Sequence, residues 1–140
     1  MNFILNNKNI KTVVLAANYN KYEGDERYLN FVNGFKDTIY ELKKARKHII
    51  VLDQIPTPGV NVPNDLANAD VVINKKFVYH NEVFNRIQLD NDVSIFRYED
   101  YLCNHNVCSM IYDKHPISFD DNHLSLSVAR LMAIHIKKKI

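Results

Sequence analysis

Two short apolar runs flank one long amphipathic segment between Thr12 and Leu52, and that order alone commits the chain to an α/β fold. Thr12-Val13-Val14-Leu15-Ala16-Ala17 is an unbroken β-branched and apolar run bounded by polar residues, the pattern of a strand buried on both faces. From Arg27 to about Lys47, Tyr28, Phe31, Val32, Phe35, Ile39 and Leu42 recur at helical spacing, while Asp37, Glu41, Lys43 and Lys44 take the other side. His48-Ile49-Ile50-Val51-Leu52 reads as a second buried strand. Strand, helix and strand in this order predict a parallel pair joined by a right-handed crossover.

The remaining segments extend that core. Asp53 to Pro63 must be loop, because Pro56, Pro58 and Pro63 forbid a central strand. It leaves the C-terminal end of a strand, as does the polar-aromatic loop from Asn18 to Gly24, and ligands of open α/β sheets bind at such ends. A short helical turn is expected over Asn64–Ala69 and a second amphipathic helix from Asn74 to about Leu89, carrying Phe77, Val78, Val83, Phe84 and Ile87. Val93-Ser94-Ile95-Phe96 reads as a third strand and Met110-Ile111-Tyr112 as an edge strand. A closing helix follows, with Leu124, Val128, Leu131, Met132 and Ile136 on one face and Ser125 as its N-cap. Residues 1–10 are polar and Asn-rich, a ragged entry or the tail of an absent helix. The expectation is therefore one domain over 1–140, a three-layer α/β/α sandwich with a short parallel sheet and no interior boundary. At 140 residues and 46% hydrophobic content the chain is large enough to bury such a core.

Charge and composition exclude several functions. Eighteen basic and 16 acidic residues are spread along the chain, so no basic face for nucleic acid is forced. Lys137-Lys138-Lys139 lies at a predicted helix end, where positive charge complements the dipole. No apolar run is long enough to insert into a bilayer, and the N-terminus lacks the basic lead-in of a signal peptide, so the chain as written would stay in the cytoplasm. No Gly-rich loop follows a strand, which argues against a nucleotide cofactor in a generic flavodoxin-like domain. Cys103 and Cys108, with four residues between them, are open to three readings: a small disulfide loop, two free thiols, or half of a metal site. A zinc site recruiting His105 and His115 lacks a second Cys pair and fits no common spacing, so no metal is assigned.

The segment Ser118-Phe119-Asp120-Asp121-Asn122-His123-Leu124-Ser125 carries the most pointed chemistry. Asp120 stands three positions before His123, in a turn that feeds a helix. That spacing lets a carboxylate reach Nδ1 of the ring and leaves Nε2 facing outward, as a general base requires. The plainer reading is an Asx-type loop that happens to precede a histidine.

Phe119 to Ala129 resembles the final block of SGNH hydrolase-like domains, in particular those at the C-terminal end of bacterial membrane acyltransferases that O-acetylate lipopolysaccharide and other surface polysaccharides. That block reads Asp-x-x-His-Leu-Ser before a Gly-Ala helix start, and Val128 replaces the Gly. The resemblance extends through Val13 to Tyr19, similar to a strand ending in Ala-Ala-Arg-Trp, and through Val51 to Pro63. It also takes in Leu102-Cys103 with Cys108, similar to that family's Leu-Cys and downstream Cys pair. It implies Asp120 and His123 as two members of a Ser-His-Asp triad, with an acyl donor and a glycan acceptor as partners and a place on the periplasmic side of the inner membrane. Tyr19 stands where the family has Trp in a site-lining position. Asn18 and Asn20, at the end of the first strand, are amides able either to donate to an oxyanion or to satisfy their own loop.

The third member of the triad is missing. The family places it in an early Gly-Asp-Ser block, and this chain's glycines, Gly24, Gly34 and Gly59, precede no Asp-Ser. Ser94, Ser109, Ser118, Ser125 and Ser127 all fall late, none on a strand-to-helix elbow. The expectation is the C-terminal part of an SGNH-type O-acyltransferase or esterase domain, incomplete at its N-terminus, whose serine lies in a missing N-terminal or membrane portion. The alternative is a catalytically inactive glycan-binding or interaction module of the same fold, using Tyr19, Tyr22 and Tyr28 near the cleft.

Overall fold

A computed structural model describes residues 1–22, 24–67 and 76–140. In chain order the elements are α1 (Asn2–Asn6), β1 (Thr12–Leu15), a 3-10 turn (Tyr19–Tyr22), α2 (Asp25–Lys44), β2 (His48–Leu52), α3 (Val62–Ala67) and β3 (Lys76–Val78). There follow α4 (Glu82–Asn85), β4 (Ser94–Phe96), α5 (Glu99–Leu102), β5 (Cys103–Asn104), β6 (Val107–Ser109), β7 (Ile111–Tyr112), β8 (His115–Pro116) and α6 (Leu126–Lys137). They gather into two compact units, one from Met1–Gln54 with Asn81–Phe96 and the other from Ile55–His80 with Arg97–Ile140.

The first unit is built on a parallel sheet of order β1-β2-β4. The register runs from Thr12↔His48 to Leu15↔Val51 and from Ile50↔Ser94 to Leu52↔Phe96. Central β2 buries Ile49, Ile50 and Val51 together, so successive side chains on both its faces are covered. β1 departs from its expected burial on both faces: Val13 is buried but Val14 is 41% exposed. An unbroken β-branched run has the same composition whether one face or two will be covered.

Helix α2 supplies most of the packing against this sheet through Tyr28, Val32, Ile39 and Leu42. Gly24 precedes it with φ of 105°, a conformation that favours glycine. At the far end Lys47 is buried, and its ammonium donates to the carbonyls of Asn7 (2.8 Å) and Ile10 (2.9 Å). That contact ties down the N-terminal segment, which forms α1 and packs Ile4, Leu5 and Ile10 against the core instead of fraying. Lys47→Met should release it. Amide exchange over residues 2–7 is expected to accelerate by an amount equivalent to about 1.5–3 kcal/mol, while the amides of Ile49 to Val51 keep their protection.

The second unit holds an antiparallel sheet of order β3-β6-β5 and the β7-β8 hairpin. Here a single amphipathic helix over Asn74–Leu89 does not form. Phe77 pairs with Cys108 within β3, and helix is confined to α4; Asn74 and Lys75 lie outside the described residues. Short apolar runs are ambiguous between helix and strand, and pairing with a segment thirty residues away decided this one. The turn expected at Asn64–Ala69 is present as α3, starting earlier at Val62, with Asn68 and Ala69 outside the described residues. Asn61 Oδ1 accepts from the Asn64 amide at 3.1 Å, and Pro63 sits in the first turn, where a missing N–H costs nothing. Met110–Tyr112 contributes β7, which pairs with β8 across a turn where Asp113 and Lys114 both have positive φ. Among the described residues no helix is long and apolar enough to cross a membrane.

Candidate functional site

The loop between Ile117 and Ser125 is closed on itself before it carries any chemistry. Ser118 and Leu124 form an antiparallel bridge, flanked by Phe119 N–H donating to His123 O (3.0 Å) and Ser125 N–H donating to Ile117 O (3.0 Å). Its base is held by Ile117, which is fully buried, and by α6. Ser125 caps that helix, its hydroxyl accepting from the Val128 amide at 3.3 Å, and Val128 and Met132 bury the helix face. His123 thus stands two residues ahead of a capped, anchored helix.

Asp120 spends its two carboxylate oxygens on different tasks. Oδ1 accepts from the amides of Asn122 (2.9 Å) and His123 (2.7 Å), which is an Asx-type turn. Oδ2 lies 2.8 Å from His123 Nδ1. The structural and the chemical readings of the motif therefore coexist on one side chain. The Asn122 amide, then the His123 ring, hold the Asp120 carboxyl down from an ordinary 3.8 to about 2. An ionised carboxylate only accepts, so Nδ1 of His123 must carry the proton shared with it. In the neutral ring Nε2 then keeps its lone pair. The His123 side chain is 70% exposed, which leaves that nitrogen open to a partner.

The depressed carboxyl sets an acid limit on the loop. Its support is complete above the ordinary carboxylate range and is lost as pH falls through about 2. In an NMR titration, the amides of Asn122 and His123 should shift together with a midpoint near that value. In Asp120→Asn the shared transition should vanish.

The other predicted residues fall elsewhere. Asn18 is half-buried just beyond β1, in the first unit, where its carbonyl accepts from Lys21 N–H. Tyr19, in the same unit, is fully buried. Its hydroxyl donates to Leu52 O at 2.8 Å, and Phe31, Phe35 and Phe84 meet its ring edge to face. Tyr22 of the loop and Tyr28 of α2 also turn inward. Tyr22 stacks on Phe31 at 4.0 Å, and Tyr28 is buried beneath the Arg86 guanidinium. Cys103 and Cys108 are joined in a disulfide that crosses the β5-β6 hairpin. Among the described residues no three His, Cys, Asp or Glu side chains converge as metal ligands.

Two features escaped sequence reasoning. Asp53 and Gln54 are buried at the exit of β2, with Asn81 donating to Asp53 Oδ2 (3.2 Å) and the Asn20 amide donating to Gln54 Oε1 (3.3 Å). Two polar residues directly after a buried strand were the available signal. The second is Phe119, 63% exposed, whose ring centroid lies 6.3 Å from that of His123. The serines hold structural places. Ser118 is buried, Ser125 caps α6, and Ser94 makes a 3.4 Å contact with His48 at the N-terminal end of β4.

Fold and loop together define a mixed α/β domain with a short parallel sheet and an acid-oriented histidine ahead of its last helix. The chain belongs to the family of SGNH domains fused to AT3 domains, whose model matches residues 1–138. It is also similar to the solved periplasmic domain of a lipopolysaccharide acetyltransferase from Salmonella ser. Paratyphi A, with a TM-score of 0.65 at 17% identity. That match covers 92% of this chain and 56% of the Salmonella domain, so the chain spans little over half of its neighbour's length. At this identity the likeness establishes the fold. No curated protein matches the chain.

Proposed function

We propose that this chain supplies the Asp-His half of a Ser-His-Asp triad to an SGNH-type O-acyltransferase acting on a cell-envelope glycan. The observation that carries the reading is the Asp120–His123 pair, with Nδ1 bound to an ionised carboxylate and Nε2 open. The serine comes from a part of the full polypeptide outside residues 1–140, together with the membrane acyltransferase region implied by the AT3 fusion. Membership in the AT3-fused family and the fold of a lipopolysaccharide acetyltransferase domain support acyl donor and glycan as partners. A periplasmic setting is supported by that neighbour and by the disulfide, which persists in oxidising compartments.

In the mechanism, His123 Nε2 takes the proton from the serine hydroxyl as its oxygen attacks the donor's acyl carbonyl. It returns the proton to the departing group. The acyl-serine is then attacked by a glycan hydroxyl, which His123 deprotonates in turn, and the proton finally restores the serine. Asp120 stays ionised and holds the ring in one tautomer and orientation. Acyl transfer by the complete protein carrying His123→Ala tests the reading: a large loss is expected, and unchanged transfer would overturn it.

A further inference from the structure

The exposed ring of Phe119 lies beside the base, and a backbone hydrogen bond pairs the two residues. Phe119 and His123 face each other across the closed loop, joined by the Phe119 N–H bond to His123 O beside the Ser118–Leu124 bridge. Their rings are tilted by 37° with centroids 6.3 Å apart. Nearly two thirds of Phe119 faces water although Ile117 and Ser118, immediately before it, are buried. A phenyl ring left in water costs free energy that a polar residue at this position would avoid.

We infer that Phe119 is the stacking platform for the acceptor's sugar ring, an assignment that rests on the proposed acyl-transfer reading. The ligand follows from the chemistry of the surface. An acyl chain needs enclosure to be desolvated, and this ring is open. A pyranose has one apolar C–H face that lies on an aromatic ring, while its hydroxyls stay hydrated or reach out sideways. A sugar seated on Phe119 therefore presents a hydroxyl toward His123 Nε2, the atom that must take its proton. Asp120 fixes the imidazole and Phe119 fixes the acceptor, both from the same nine-residue loop.

The chain contains no tryptophan, so Phe119→Trp creates a single fluorescent reporter at the platform. Titrating that variant with oligosaccharides released by mild acid from the lipopolysaccharide of the producing bacterium should give a saturable emission change. The same change should persist when His123→Ala is added. In the complete acyltransferase, Phe119→Ala should raise the acceptor KM about tenfold, the scale of one aromatic stacking contact. The donor KM should hold and kcat should stay within about twofold, and Phe119→Tyr should restore the acceptor KM. A flat fluorescence titration, or an acceptor KM unmoved by Phe119→Ala while His123→Ala abolishes transfer, overturns the platform alone. Transfer that survives His123→Ala overturns the catalytic reading on which it stands.

Discussion

His123→Ala in the complete acyltransferase is expected to lower acyl transfer by about 10²–10⁴-fold, the contribution of a positioned general base. The expectation follows from the division of the ring. Nδ1 is engaged by Asp120 Oδ2 at 2.8 Å, which leaves Nε2 as the one nitrogen able to accept a proton. The substitution should leave the fold intact, because the His123 side chain is 70% exposed and the loop is closed by backbone bonds that alanine keeps. Kinetics and a thermal melt on the same preparation separate the two effects. Loss of transfer without loss of Tm is the expected pair. A comparable fall in both would make His123 a structural residue.

Tyr19→Ala is expected to have the largest effect on stability, about 3–5 kcal/mol, because it opens a cavity among Phe31, Phe35 and Phe84. Tyr19→Phe keeps the ring and loses only the hydroxyl bond to Leu52 O, so about 1 kcal/mol should go. Urea unfolding of the two variants measures both numbers.

These two residues mark where a linear reading succeeds and where it fails. Asp120 and His123 were legible because their interaction is local. Three residues of separation in a turn nearly dictate the contact, and Ser125 as N-cap follows from the apolar spacing behind it. β2 and α2 were legible for a related reason, since a long amphipathic period and a β-branched run carry their own signal. Tyr19 was harder, because whether an aromatic ring in a loop faces water depends on side chains that arrive from α2 and α4. Phe77 and Val78 failed in the same way. Their partner is β6, and nothing in the local pattern announces it. The burial of Asp53 and Gln54 likewise depends on Asn81 and Asn20, residues distant along the chain.

By itself the sequence determined the α/β class, the parallel β1-β2 pair and the acid-histidine loop, because propensity, periodicity and close spacing act within a few turns of chain. Only the tertiary structure decided that Val14 would be exposed, that Lys47 would anchor α1, and that Phe119 would stand open beside His123 while Tyr19 was sealed away. Burial is a property of what packs from elsewhere, and an apolar side chain is written with the same letter whether it fills a core or waits at a site.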